Sequence, residues 1–270
     1  MMDVQKTFAT DDCLLAYDCW PGERVVTVVL LHGYGVNRRM WQPQVKALRD
    51  VGYPIINIDV RSHGASRPTK SFSVRVAAED LQAILTAEHN PPAVIVGLSM
   101  GGFVTQEYAA LFGGALGYMV IGVTPMFMRY AAWEKLGLKY SGPIMKYLYT
   151  WKGLKKAMAK GSTSTPAAYG LAMSMFDEMN KEEFLTSWQG FTTCLYEREV
   201  HLDAPLLVVC GEEDTRGTIH KHLADWPAQY PGCTVKTISG AGHLANLDAP
   251  EVFNEIMLAF IESCEKGNLK

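Results

Sequence analysis

Residues 93–102 read Ala-Val-Ile-Val-Gly-Leu-Ser-Met-Gly-Gly: a β-branched apolar run that stops at Gly97, then a helix-like segment that begins after Ser99. A strand turning this sharply into a helix holds its corner residue in a strained backbone conformation. It also needs neighbours without a Cβ, so that strand and helix can approach each other. Gly97-Leu98-Ser99-Met100-Gly101 has the Gly-x-Ser-x-Gly form of a nucleophile elbow. Such a turn lifts the serine hydroxyl out of the sheet edge. It also aims the free amides and partial positive charge of a helix N-terminus at whatever the serine attacks. Five residues by themselves also describe a plain Gly-rich turn. The elbow therefore calls for a base, an acid and oxyanion donors elsewhere in the chain.

The rest of the chain supplies the sheet that such an elbow needs. Val25–Leu31, Pro54–Val60, the run from Ala93 that stops at Gly97, and Leu116–Val123 are short, near-continuous apolar runs, the pattern of strands buried on both faces of a parallel sheet. Between them, Met40–Val51 and Ser73–Glu88 have helical spacing, with Ser73 placed as an N-cap, and a third helix follows the elbow from Met100 to Phe112. Residues 4–9 and 14–20 read as two further short strands around a turn at Asp11-Asp12. This alternation predicts an α/β fold, a mostly parallel central sheet with right-handed crossovers, flanked by helices. Residues 125–200 break the pattern: they hold no strand-like run and are rich in Met and aromatics. Alternation resumes with Pro205–Cys210, a helix near 218–229, the strand Thr234–Ile238 and a closing helix from Pro250 to about Cys264. The chain thus divides into an α/β core, 1–124 with 201–270, and a helical lid, 125–200, inserted after the sixth strand.

With 270 residues the chain is long enough for one large domain carrying such an insertion. A net charge of −3 leaves no basic footprint for nucleic acid. The N-terminus lacks a basic-then-apolar signal pattern, and the apolar runs are too short to span a bilayer. None of the six cysteines has Cys-x-x-Cys spacing. They are expected to be reduced packing residues of a cytoplasmic protein.

A serine hydroxyl is a poor nucleophile near neutral pH and needs a histidine base, itself oriented by a carboxylate. Sites in open parallel sheets form beyond the carboxyl ends of strands. Of the seven histidines, His243, in Gly240-Ala241-Gly242-His243, follows the last predicted strand and Ser99 in the chain. His32 and His63 also follow strands but precede Ser99 and sit in turns of their own. His220 and His222, two apart on a predicted helix, point in different directions and make a poor metal pair. Asp214, in Gly211-Glu212-Glu213-Asp214, stands where the chain would turn across the top of the sheet, with Glu212 and Glu213 as competitors. The order Ser99, Asp214, His243 is that of an α/β-hydrolase triad. Oxyanion donors should be backbone amides: Met100, directly after the nucleophile, and Tyr34 in His32-Gly33-Tyr34-Gly35, with Gly33 as the alternative. In this role the Tyr34 side chain matters less than its amide.

On these residues the chain resembles the α/β-hydrolase superfamily, in its lid-bearing esterase, lactonase and peptidase-like group. His32–Gly35, the turn Asp59–Ser66, Gly97–Gly102, Gly211–Asp214 and Gly242-His243 fall in family order across nearly the whole chain. Ser62 stands where the resembling turn usually has glycine. The resemblance implies a serine hydrolase in which Ser99, His243 and Asp214 are nucleophile, base and acid. It calls for neither metal nor organic cofactor and for a small-molecule partner with a carbonyl centre. A carboxylic ester or lactone is the expected substrate. Amide, N-terminal peptide, thioester and C–C hydrolysis and perhydrolysis use the same scaffold, as does slow-turnover ligand sensing. Gly33, Met126, Phe127 and Leu244 are the pocket candidates. The Met and aromatic residues of 125–200 are expected either to line the pocket or to form the lid's own core. The lysines 135–160 are expected to lie on a solvated face. The sequence sets no oligomeric state.

Overall fold

A computed structural model describes residues 4–126, 128, 130–193, 202 and 204–268. Eight strands run through it: β1 Val4–Ala9, β2 Leu14–Trp20, β3 Thr27–Leu31, β4 Ile55–Ile58, β5 Ala93–Leu98, β6 Gly117–Ile121, β7 Leu206–Gly211 and β8 Thr234–Ile238. They form one sheet in the order β1-β2-β4-β3-β5-β6-β7-β8. The β1–β2 and β2–β4 pairs are antiparallel, and β4, β3, β5, β6, β7 and β8 are parallel. Every residue of β3, β4, β5, β6 and β7 is buried, as their unbroken apolar runs require. The edge strand β8 buries only Ile238 fully. Val25, at the head of the first apolar run, lies outside β3 and is exposed.

Ten α-helices connect the strands: α1 Gln42–Asp50, α2 Val74–Ala87, α3 Met100–Leu111, α4 Ala132–Leu148, α5 Trp151–Lys160, α6 Pro166–Phe176, α7 Lys181–Phe191, α8 Asp225–Gln229, α9 Ala245–Asp248 and α10 Pro250–Asn268. The Ser73 hydroxyl accepts the Val76 N–H and starts α2. The predicted helix near 218–229 is broken into a 3₁₀ turn, His220–His222, and the short α8, with Pro227 inside it. Among the described residues four helices, α4 to α7, fall between β6 and β7 and form the insertion where the alternation breaks after residue 124.

The chain leaves β3 toward β4 on one side, while its other neighbour is β5, so the connection direction switches between β3 and β5. A crevice opens beyond the carboxyl ends of strands at such a switch point. Helix α3 starts there, pressed against the sheet. An added Cβ on Gly97 would lie 2.2 Å from the Gly101 carbonyl oxygen, and one on Gly101 would lie 2.2 Å from the Leu31 carbonyl oxygen. Both neighbours are backbone and cannot rotate away.

The turn after β4 is a second rigid feature beside the crevice. The Asp59 carboxylate accepts the backbone N–H groups of Arg38 and Ala65 at 2.8 Å each and pairs with the Arg38 guanidinium. Ser62, at the position usually glycine in the resembling turn, takes φ 68°. Its hydroxyl bonds that of Thr69 at 2.5 Å. Arg61, nearly fully buried, forks onto both oxygens of Asp80. The five described cysteines, Cys13, Cys19, Cys210, Cys233 and Cys264, are free thiols. Burial pushes Cys210 up to about 12 and Cys13 to about 11, as packing residues require.

Two glycine substitutions should move stability in opposite directions. Gly101→Ala should cost about 3 kcal/mol, because the new methyl meets backbone on β3. Gly170→Ala, inside α6 with no atom within 4 Å of the new methyl, should gain about 0.5–1 kcal/mol. Urea unfolding midpoints of the two variants check both signs.

Candidate active site

Ser99 stands at the junction of β5 and α3 with φ 53° and ψ −112°, a left-handed conformation that an L-residue holds only under constraint. Its N–H donates to the Ile121 carbonyl at 2.7 Å, and its own carbonyl accepts the first helical bond, from Phe103, at 3.0 Å. The elbow is thereby tied both to the neighbouring strand end and to its own helix. The hydroxyl itself makes no hydrogen bond among the described residues.

Asp214 follows β7 and His243 follows β8, and the structure brings their side chains together: Nδ1 of His243 lies 2.8 Å from Oδ2 of Asp214. A carboxylate can only accept, so Nδ1 carries the proton and Nε2 keeps its lone pair. The other carboxylate oxygen, Oδ1, accepts the Arg216 N–H at 2.9 Å. Burial works to raise the Asp214 carboxyl's affinity for its proton. The hydrogen bond and charge of His243, with smaller help from the Arg216 N–H and His220, outweigh it and hold the group below the usual carboxylate range. Gly122, at φ +56° beyond β6, leaves room for the pair. A Cβ there would stand 3.0 Å from Nδ1 of His243 and 3.3 Å from Oδ2 of Asp214. Of the competing acids, Glu213 accepts the Ser164 hydroxyl at 2.9 Å, and Glu212 accepts that of Ser239 at 2.6 Å.

The loop after β3 closes over the elbow. A Cβ on Gly33 would lie 3.6 Å from that of Ser99. The His32 ring shapes this loop: Nε2 accepts the Val60 N–H at 3.0 Å, so Nδ1 is protonated and donates to the Gly33 carbonyl at 2.7 Å. In a trans peptide the carbonyl and the next N–H point in opposite directions. The imidazole thus turns the Tyr34 N–H away from itself. Met100 is the first residue of α3, and the next amide, Gly101, is taken by the His32 carbonyl at 3.1 Å. The sequence places His32 before Ser99 in a turn of its own; its part in shaping that loop follows from contacts to Val60 and Gly33 that only the fold creates.

Ser99, His243, Gly33, Tyr34 and Leu244 open on one cavity of about 520 Å³, a size suited to a small-molecule ligand. Its far walls come largely from the insertion and are mainly apolar, including Tyr130, Leu138, Met158, Phe176, Trp188 and Phe191. Met126, expected at the pocket, does not line it. The residue is fully buried in the core, its N–H held at 2.8 Å by Oε1 of Gln106. Phe127 lies outside the described residues. The aromatics of the insertion divide three ways rather than two. Some line the cavity, some are buried with Met145 and Met175 in a core continuous with that of the sheet, and Tyr140 and Tyr147 on α4 face solvent. Lys135, Lys139, Lys146, Lys152, Lys156 and Lys160 are exposed, whereas Lys155 pairs with Asp177. A larger depression of about 940 Å³, bordered by Arg38, Lys46 and Asp50, holds none of these groups. Among the described residues no three His, Cys, Asp or Glu side chains gather as metal ligands, and no helix is long and apolar enough to cross a membrane.

The insertion is fastened to the core beside the site. The Tyr34 hydroxyl donates to the Phe184 carbonyl and lies 2.7 Å from the Ser187 hydroxyl, both on α7. Its ring packs edge-on against His63, Phe184 and Trp188. The Ser162 carbonyl, just past α5, accepts the N–H of Leu244, the residue after His243, at 2.8 Å. Arg216 also lines the cavity. The sequence reading passed over it, although it stands two residues beyond Asp214.

A family model described as Alpha/beta hydrolase family matches residues 28–256. The 3-oxoadipate enol-lactonase 1 of Acinetobacter baylyi is 24% identical over 263 residues, which cover 90% of this chain and 91% of that protein. A thermophilic esterase from Thermogutta terrifontis superposes with a TM-score of 0.81 at 19% identity, over 98% of this chain and all of that one. An esterase from Exiguobacterium antarcticum does so with a TM-score of 0.76 at 18% identity, over 97% and 100% of the two chains.

Two outcomes follow from the buried contacts. Tyr34→Phe removes the two hydroxyl contacts to α7 and should lower stability by about 1 kcal/mol in chemical denaturation. Because its amide remains, turnover should stay within about threefold; a hundredfold loss would place the hydroxyl in the chemistry. Burial lowers His32 to about 4 and His63 to about 3, from 6.5 in the open chain. Below pH 6.5 the unfolded chain takes up protons that the folded rings refuse. Stability should therefore fall as the pH drops toward 4, by about 1.4 kcal/mol per pH unit for each ring. Urea midpoints between pH 7 and 4.5 should show this slope, and His63→Leu should roughly halve it.

Proposed function

This chain belongs to the alpha/beta hydrolase family, and we propose that it works as a serine hydrolase, cleaving carboxylic esters or lactones of small to medium size through an acyl-enzyme on Ser99. The observation that carries this reading is the hydrogen bond of Asp214 to Nδ1 of His243 on the wall of the cavity that Ser99 enters from a strained elbow. Asp214 fixes the tautomer and leaves Nε2 as the base. The free Ser99 hydroxyl engages it as substrate fills the cavity, since such contacts commonly tighten in the loaded enzyme. The hydroxyl oxygen attacks the carbonyl carbon, its proton passes to Nε2, and Asp214 stabilises the imidazolium. The amides of Met100 and Tyr34 receive the oxyanion, the second oriented through the bond that His32 makes to the Gly33 carbonyl. The imidazolium then protonates the leaving group, and water activated by the same ring resolves the acyl-enzyme.

In this reading residues 125–200 are the lid, and Gly33 and Leu244 border the reacting carbonyl. Several observations favour ester or lactone over a large peptide substrate. The cavity is about 520 Å³ with largely apolar walls, and the insertion is bonded down at Tyr34 and Leu244. The comparisons support the class of chemistry: an enol-lactonase and two esterases are among the proteins this chain resembles.

Ser99→Ala should abolish both turnover of p-nitrophenyl esters and labelling by a fluorophosphonate probe; retained labelling would overturn the nucleophile assignment. Asp214→Asn should reduce kcat by about 10³–10⁴-fold through the loss of the Nδ1–H tautomer, with the fold intact by circular dichroism.

A further inference from the structure

Arg216 holds the acid through its backbone while its side chain points elsewhere. Nη2 donates to the Met158 carbonyl at 2.7 Å and to the Ser162 hydroxyl at 2.9 Å, both at the C-terminal end of α5. The carbonyl end of a helix carries partial negative charge and suits a cation. The chain also leaves space for the group. Gly161, the C-cap of α5, has φ −80°, a conformation open to any residue, yet a Cβ there would stand 2.8 Å from Nη2 and 3.1 Å from Cζ. The guanidinium is thus seated against α5 on the wall of the cavity that holds Ser99 and His243.

What it lacks is an anion. Among the described residues no carboxylate forms an ion pair with this guanidinium, and Asp214 is already engaged by His243. Burial is the leading influence on Arg216 and pulls its pKa down, and Asp214 opposes it only in part. A guanidinium has five N–H donors. Two sit on Nη2 and are used; among the described residues the three on Nε and Nη1 have no partner, and neither atom is among the sealed, unsatisfied polar atoms. They therefore remain accessible. The other ionisable carboxylate on this wall, Glu134, is spent locally: Oε2 accepts the Ala131 N–H at 2.7 Å and Oε1 the Thr218 hydroxyl at 3.1 Å.

We propose that Arg216 is a carboxylate-binding subsite, so that the preferred substrates are esters or lactones carrying a second, free carboxylate beyond the scissile carbonyl. The proposal rests on the serine-hydrolase reading of the same cavity. The unused N–H groups on Nη1 and Nε are charged donors for the oxygens of a carboxylate, and the apolar surroundings strengthen the contact. A single seated guanidinium suits one monoanionic group, while the apolar walls take the connecting chain.

The test compares p-nitrophenyl hemiglutarate with p-nitrophenyl valerate, which match in chain length and differ in the terminal charge. The native enzyme should favour the hemiglutarate in kcat/KM by about 10- to 100-fold. Arg216→Met should bring that ratio to near one, and Arg216→Lys, which keeps the charge but loses the donors that seat the group against α5, should leave an intermediate ratio. A direct binding arm uses Ser99→Ala: glutarate, but not the neutral glutaramide, should raise its Tm, and adding Arg216→Met should remove the shift. A native ratio near one, a ratio unchanged in Arg216→Met, or equal Tm shifts with glutarate and glutaramide would overturn the proposal. A residue that merely anchors α5 would lower Tm and slow both esters together, leaving the ratio intact. If Arg216→Met does not fold, the native ratio and the Arg216→Lys ratio decide. If neither ester is turned over, the hydrolase reading fails, while the binding arm still decides the subsite.

Discussion

Three backbone segments meet at van der Waals contact where β5 becomes α3. Gly97 faces the Gly101 carbonyl, and Gly101 faces the Leu31 carbonyl at the end of β3. No side chain fits between them, so the first turn of α3 is fixed against two strand ends at once. Ser99 has no alternative to φ 53° within that frame. The strain is held by backbone bonds to Ile121 and Phe103, by contacts that would exist whatever the residue's chemistry. Everything else at the site is measured from this junction. The Gly33 loop lies on it, Met100 begins the helix it launches, and Gly122, just past β6, leaves space for the Asp214–His243 pair.

The core brings Ser99 and His243 to the cavity, and the insertion brings most of its far walls, but the two are bonded through the same few residues. Tyr34 contributes to the loop over Ser99 and holds α7 by its hydroxyl. Leu244 follows His243 and bonds the loop after α5. Arg216 steadies Asp214 with its main chain and grips α5 with its side chain. Tyr34 and Arg216 reach the insertion through their side chains, and Leu244 reaches it through its backbone N–H. A shift of the insertion is therefore felt at Tyr34, Asp214 and His243 without any long relay of contacts.

The strands buried on both faces were legible because burial leaves the same unbroken mark in sequence that it leaves in space; β3, β4, β5 and β6 are examples. Ser99 and Asp214 could be listed because each follows such a strand, and His243 because it follows the last strand, the partly exposed edge strand β8. What was not legible depends on surfaces meeting across the chain. Met126 looked like a pocket residue from its place after a strand end, but the Gln106 side chain draws that segment into the core. Tyr140 and Tyr147 carry the same composition signal as Trp188, and only the packing of α4 against α7 separates outward from inward faces. His32 and Arg216 act through bonds to Gly33, Val60, Met158 and Ser162, partners whose proximity no local pattern encodes.

The close contact at Gly97 and Gly101 also divides the molecule by mutational freedom. Around the elbow the constraint is backbone against backbone, which no compensating side-chain change can relieve, so variation there is closed off in both size and polarity. On the insertion the cavity is walled by side chains such as Leu138, Met158 and Phe176, whose volumes can be exchanged without touching the junction. A combinatorial library aimed at altered substrate scope belongs on those positions. The reaction would then stay constant while the shape and charge of what it accepts drift, which is how one frame can be diversified without being rebuilt.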